Sequence, residues 1–174
     1  DLDYAFAGTQ KCLALPPGLG VYAVSDRALA VADGIDERGF LLDLPKSVKD
    51  TNAGKTLATP CVPLVYALQR QLDRIQTEGL EQRWHRHLEL QAKTLAWAET
   101  KGFTPFVGDS AARSPTVSCI DAGGQDVEAM AKQAADSGFK MDKGYGDLKG
   151  KAFRIGHMGD HTMARLEVLL DALK

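Results

Sequence analysis

Three side chains suited to carbonyl or anion chemistry stand beside short apolar runs in this 174-residue chain. In Tyr4-Ala5-Phe6-Ala7-Gly8-Thr9-Gln10-Lys11, an aromatic run stops at a glycine and is followed by a hydroxyl, an amide and an amine. The run predicts a short buried strand, with Gly8 where the backbone turns or lets another group approach closely. An amine held in apolar surroundings is a nucleophile for Schiff-base chemistry, although a lysine just past a strand is more often simply solvated. Thr59 precedes Pro60 and reads as a helix N-cap, and a helix N-terminus with a free hydroxyl is a ready phosphate site; a plain cap is the alternative. Arg154 lies in Lys151-Ala152-Phe153-Arg154-Ile155-Gly156. Its guanidinium suits a carboxylate gripped in bidentate fashion, or an ion pair within the protein. Lysine, phosphate pocket and carboxylate grip together describe a pyridoxal phosphate enzyme acting on amino acids.

The elements that must position these groups follow from periodicity. Pro16-Pro17-Gly18-Leu19-Gly20 is a turn, and Val21-Tyr22-Ala23-Val24 a second strand, apolar on both faces and expected to be central and covered. Ser25 or Asp26 caps a short helix around 28–32, and 33–50 reads as a surface excursion. A helix from about 60 to 76 carries Val62, Val65, Leu72 and Ile75 on one stripe, and Gly79 breaks it. A longer helix follows from about 80 to 100, with Leu80, Trp84, Leu88, Leu95 and Ala98 inward and Arg83, Arg86, Glu89 and Lys93 on a solvated face. Residues 116–120 form a strand, 125–137 a helix stopped by Gly138, 138–141 a short strand and 151–156 a further strand. Asp160 is expected to cap a closing helix with Met163, Leu166, Leu169, Leu170 and Leu173 inward. Elements in this order make a small α/β sandwich, with helices on one face of a sheet.

Composition narrows the function classes. Lys+Arg 21 against Asp+Glu 23 gives a net charge of -2, without the basic footprint of a nucleic-acid binder. No apolar run approaches a membrane span, and no signal-peptide pattern opens the chain. Cys12, Cys61 and Cys119 show no CxxC pair and read as reduced, buried small hydrophobes of a cytoplasmic protein. His85 and His87 are wrongly spaced for one helix face, and His157 and His161 straddle a helix boundary, so no metal site is expected. The glycines at 18 and 20 do not make a dinucleotide loop. A chain that opens at Asp1 directly into a buried-looking strand is expected to be the carboxyl-terminal part, or a fragment, of a longer protein.

Ala7-Gly8-Thr9-Gln10-Lys11 with Leu15-Pro16-Pro17-Gly18 resembles the cofactor-lysine segment of the class V aminotransferases, nearest the alanine–glyoxylate and serine–glyoxylate (serine–pyruvate) group. Thr56 to Leu68, Glu78-Gly79-Leu80-Glu81-Gln82-Arg83-Trp84, and Phe153-Arg154-Ile155-Gly156-His157-Met158-Gly159-Asp160 resemble that group's later segments in the same order. The resemblance implies the carboxyl-terminal part of a type I pyridoxal phosphate-dependent transferase fold: residues 1–78 as the remainder of the large domain, and 79–174 as a small α/β sandwich domain. It implies transamination between serine or alanine and a 2-oxo acid such as glyoxylate or pyruvate. Lys11 would form the aldimine with pyridoxal 5'-phosphate and move the proton. Gln10 would contact the phosphate, Thr59 would reach the phosphate from the partner subunit of a homodimer, and Thr56 would occupy a second position that is often tyrosine. Arg154 would bind the substrate α-carboxylate. The family's aspartate at the pyridine nitrogen, its stacking aromatic residue and its main phosphate turn would all lie upstream, so this chain alone is expected to hold the cofactor poorly. A phosphonate-type transaminase of the same fold and a non-catalytic dimerisation module are the alternatives. A cysteine desulfurase would carry histidine where Gln10 stands.

Overall fold

Alternating aromatic and small residues extend Tyr4–Gly8 into strand β1, which pairs antiparallel with β2, Gly20–Val24, in a computed structural model that describes residues 2–173; Asp1 and Lys174 lie outside the described residues. The strands form a two-stranded sheet with Tyr4 opposite Val24 and Gly8 opposite Gly20. Its far end is tied by Asp3, which accepts hydrogen bonds from Ser25 and Arg27. Neither strand is buried as expected: Phe6 is 78% exposed, Tyr4 and Tyr22 are also exposed, and Val21 and Val24 are only half covered. A pair of strands has no second layer of its own, so its apolar side chains stay open to solvent within this chain.

Helix α1, Asp26–Asp33, begins at Ser25, whose hydroxyl accepts from the Ala28 amide. The 33–50 excursion contains an unexpected helix, α2, Leu44–Asn52. Asp43 caps it by accepting from the Lys46 amide, and Pro45 stands in its first turn, where a missing N–H is harmless. Arg38 braces that cap, donating to Asp43 at 3.0 Å and to the Ala32 carbonyl. Helix α3, Val62–Glu78, starts later than expected: the Cys61 carbonyl accepts from the Leu64 and Val65 amides, so Thr59 is not its cap and Pro60 is not its first residue. Pro63 inside the first turn, rather than Pro60, is the proline at the helix start. The chain divides within α3 into two compact units, Asp1–Arg74 and Ile75–Lys174.

In the second unit, Gly79, with φ +86, separates α3 from α4, Leu80–Thr100. Strands β3 (Thr104–Pro105), β4 (Val117–Asp121) and β5 (Ala152–Gly156) make an antiparallel sheet in the order β3-β4-β5. Between them come α5, Val127–Asp136, capped by Asp126, and single 3-10 turns at Ser110–Ala112 and Gly146–Leu148. Helix α6, Met163–Ala172, closes the unit. Its cap is Thr162, whose hydroxyl accepts from the Arg165 amide, and not Asp160, which is engaged elsewhere. Residues 138–141 form no strand; contact with β5 is a single bridge between Asp142 and Arg154.

Ile120, Phe153 and Ile155 point from the sheet into a core shared with Leu90, Met130 and Leu170 of the helices. Phe153 is fully buried, and Phe103 meets it edge-on at 5.2 Å. Burying a side chain of that size contributes about 2–3 kcal/mol. The opposite face of the sheet carries Val117, Cys119 and Arg154, none fully buried. The cysteines are thus not the buried hydrophobes expected: Cys12 and Cys61 are exposed and Cys119 is half covered, with burial pushing the Cys119 thiol up.

Helix α4 is rolled relative to the expected stripe. Ala98 is buried as expected and Leu95 is half-buried, but the inner face also carries Leu90 and Thr94, and in the first half Arg83 and His87 face inward while Leu80, Trp84 and Leu88 are exposed. The polar pair takes that place because both side chains bind the loop after β5, as described below. No described helix is long and apolar enough to cross a membrane.

Gly144, with φ +83, has no room for a side chain; a Cβ there would lie 2.2 Å from the Leu148 carbonyl oxygen and 2.7 Å from that of Ala152. Gly144→Ala should lower the unfolding free energy by about 3 kcal/mol in urea titrations, since backbone rather than a mobile side chain must move. Gly20→Ala, at a position with open space around the new methyl group, should change it little.

Candidate active site

Lys11 occupies a turn whose shape is set by its neighbour Thr9. Thr9 is fully buried, and its hydroxyl donates to the Pro16 carbonyl at 2.8 Å. Its backbone closes the loop as well: Thr9 N donates to Leu19 O at 3.1 Å, and Leu15 N donates to Thr9 O at 3.0 Å. Within this closed loop, Lys11 N donates to Gly8 O and Ala14 N to Lys11 O, with Ala14 in the left-handed region at φ 55. The Gln10 side chain folds back so that its Oε1 lies 2.5 Å from where a Cβ on Gly8 would stand, so this glycine gives the amide its room. Lys11 itself is exposed, and its ammonium makes no hydrogen bond or ion pair among the described residues. The expectation of a lysine desolvated by a buried strand is therefore not met within this chain, because β1 is itself uncovered.

Thr56 and Thr59 lie in the segment between α2 and α3. Thr56 donates to the Ala58 carbonyl at 2.7 Å and lines a groove with Tyr22, Ser47, Thr51 and Leu57. Thr59 is exposed and two residues short of the Cys61 carbonyl that opens α3, so its hydroxyl is not consumed as a cap. Neither threonine is hydrogen-bonded to Lys11 or Gln10 among the described residues.

Arg154, in the second unit, projects from the open face of β5 opposite Cys119 of β4. Its Nε donates to Asp142 Oδ1 at 2.9 Å and its Nη2 to Asp142 Oδ2 at 2.7 Å. The guanidinium holds the Asp142 carboxyl below the usual carboxylate range, and the carboxylate in turn raises the arginine. The loop following Arg154 is anchored to α4. Arg83 donates to Asp160 at 3.1 Å and to Glu78 at 2.7 Å, the His87 ring meets the Gly159 carbonyl at 3.2 Å, and Arg86 donates to the His161 carbonyl at 2.6 Å. His157, also fully buried, is 3.0 Å from the Ser118 hydroxyl. Hydrogen bonding from Arg86 holds Glu78 below its ordinary value, and burial pushes His157 down to about 4.

Comparison with known proteins places this arrangement. The chain is 39% identical over 162 residues to an uncharacterised aminotransferase of Methanocaldococcus jannaschii, covering 91% of this chain and 42% of that protein. It is 36% identical over 166 residues to the serine–glyoxylate aminotransferase of Methylorubrum extorquens, covering 91% of this chain and 41% of that protein. The chain matches the carboxyl-terminal part of class V aminotransferases. The crystal structure of an alanine–glyoxylate aminotransferase from Nostoc sp. superposes with a TM-score of 0.88 at 27% identity, over 99% of this chain and 47% of that one. The fold is thus the carboxyl-terminal part of the type I transferase fold that class V aminotransferases share. No family model matches the chain. It spans about two fifths of the length of the curated class V relatives it matches.

Two residues beside the candidate site escaped sequence reading. Thr9 was visible only as a letter in the Gly8-Thr9-Gln10-Lys11 run, although a small hydroxyl after a strand-ending glycine signals a side chain that bonds nearby backbone. Asp142 had no local signal, since it reaches Arg154 across a single bridge from twelve positions away.

Two tests follow from these anchors. Thr9→Val, which keeps the shape and removes the hydroxyl, should lower stability by about 1–3 kcal/mol in chemical unfolding, because the Pro16 carbonyl loses its partner. A histidine kept neutral in the fold but titrating near its ordinary value when unfolded binds fewer protons in the native state. Stability is therefore complete above about pH 6.5 and declines as pH falls toward about 4, by up to about 3 kcal/mol for His157. Urea unfolding at pH 7, 5.5 and 4.5 should show this slope, and His157→Gln should flatten it.

Proposed function

We propose that this chain supplies the reactive lysine and the substrate-carboxylate arginine of a pyridoxal phosphate-dependent aminotransferase. The reaction moves an amino group between a small amino acid, serine or alanine, and a 2-oxo acid such as glyoxylate or pyruvate. The observation that carries the reading is the 36% identity to a serine–glyoxylate aminotransferase over 91% of the chain. A further support is Lys11, presented in solvent on a closed turn with its ammonium unengaged among the described residues. An exposed amine on a fixed turn, a folded-back amide at Gln10 and a Thr59 hydroxyl not consumed as a cap fit a carbonyl-bearing phosphate ester.

Pyridoxal 5'-phosphate supplies the electron sink that lets the substrate Cα–H bond ionise. In this reading Lys11 would hold the cofactor through its Nζ and would serve as the base and acid that moves the proton at the substrate Cα. Gln10, Thr56 and Thr59 would hold the phosphate, with Thr59 acting across a homodimer. Arg154 binds the α-carboxylate as a planar bidentate donor, which fixes the orientation of the amino group. Residues 1–78 then belong to the large cofactor-binding domain and 79–174 to the small domain. Three cysteines outside any disulfide suit a reducing compartment such as the cytoplasm.

Borohydride reduction of the cofactor-loaded protein, followed by peptide mapping, should place the cofactor on Lys11. Lys11→Ala should lose that adduct and lower transamination by at least about a thousandfold. An adduct on another lysine, or full activity in Lys11→Ala, refutes the assignment. A panel of serine, alanine, glyoxylate and pyruvate as donors and acceptors tests the substrate class.

A further inference from the structure

The arginine read as the substrate grip already holds a carboxylate. A guanidinium has five N–H donors in one plane, arranged as a side edge, Nε with Nη2, and an end edge, Nη1 with Nη2. Asp142 occupies the side edge with both oxygens, at 2.9 and 2.7 Å. The end edge has no partner among the described residues and projects from the open face of the sheet.

Asp142 is itself built into place. Its carbonyl accepts from the Arg154 amide at 3.2 Å, bridging the two backbones, and its Oδ1 also accepts from Gly144 N at 3.0 Å. Gly144 in turn can only be glycine, since a Cβ would fall within 2.2 Å of a backbone oxygen. The two side chains are 44% and 40% exposed, and ion pairs so open to water contribute about 0–1 kcal/mol to stability. Folding energy therefore does not account for an aspartate whose backbone carbonyl is held by the Arg154 amide, whose carboxylate is held by the Gly144 amide, and whose two oxygens meet one edge of one arginine.

We propose that Asp142 is a positioning residue for the substrate carboxylate, fixing the side edge of Arg154 so that the end edge meets the incoming α-carboxylate. This rests on the reading of Arg154 as the carboxylate grip. Two carboxylates then share one guanidinium in its plane, one internal and permanent, one external and exchanged at each turnover. Without Asp142, the arginine side chain swings among rotamers and must be ordered by the substrate itself, which weakens binding and leaves the bond-making step unchanged.

The test uses the full-length, cofactor-loaded enzyme and three variants: Asp142→Ala, Asp142→Asn, which keeps the shape and one acceptor, and Arg154→Ala. Steady-state kinetics should show KM for both the amino acid and the 2-oxo acid raised about tenfold in Asp142→Ala and by a smaller factor in Asp142→Asn, with kcat within about twofold of the parent. Calorimetry with propionate, a carboxylate that cannot react, should show the same weakening. The amide of the donor amino acid, which lacks the carboxylate, should bind parent and Asp142 variants alike, as general loss of structure would not allow. Unchanged or tighter propionate binding in both Asp142 variants overturns the proposal; tighter binding would mark Asp142 as a competitor for the grip. If Arg154→Ala also leaves propionate binding unchanged, the grip reading itself falls. If only Arg154→Ala loses it, the grip stands and the role of Asp142 falls.

Discussion

Buried polar groups have to be matched, and in each unit of this protein one such match holds the segment beside a candidate site residue. In the first unit it is the Thr9 hydroxyl, fully enclosed and bonded to the Pro16 carbonyl, which joins the end of β1 to the start of β2 and leaves Lys11 on the turn between them. In the second it is Arg83, whose side chain is 6% exposed and spans Glu78 and Asp160. Removing either partner of such a contact leaves a desolvated group behind, so neither connection can loosen gradually.

The arginine match also explains the orientation of α4. A helix normally turns its apolar stripe to the core. Here the first two turns bury Arg83 and His87 because the loop after β5 offers a carboxylate and a carbonyl there, and Leu80, Trp84 and Leu88 are left outside. From Leu90 onward the inner face carries Leu90, Ala98 and Thr94, whose hydroxyl is satisfied within the helix by the Leu90 carbonyl. The polar half of the helix thus fixes the segment that follows Arg154, while the apolar half fixes the sheet that carries it.

Much of this was legible in the amino-acid order. The helices α4, α5 and α6 and the strands β2, β4 and β5 declare themselves through period and through glycines 79 and 138, which take positive φ where predicted. Ser25 as a cap was legible because serine immediately precedes a helical stripe. Thr59 and Asp160 misled for one reason: each is a good capping type near a helix start, but the backbone opened the helix two or more residues later, at Cys61 and Thr162. Helix α2 was missed because charged and apolar residues mix around it and its signal is a single aspartate bonded to Lys46 N. Burial of β1 was misjudged because apolar composition records what a strand is suited to pack against, and here only β2 pairs with it. The Asp142–Arg154 pair lies beyond any local rule.

The absence of a Cβ at Gly144 has a consequence for anyone seeking to redirect such a protein toward other substrates. The residue is locked by two carbonyl oxygens, and it donates the amide that steadies Asp142. Variation at this position is therefore closed as a means of retuning the angle of Arg154. Adjustments of that angle have to enter through the exposed residues Tyr145, Gly146 and Asp147, short of the Leu148 carbonyl that walls in Gly144.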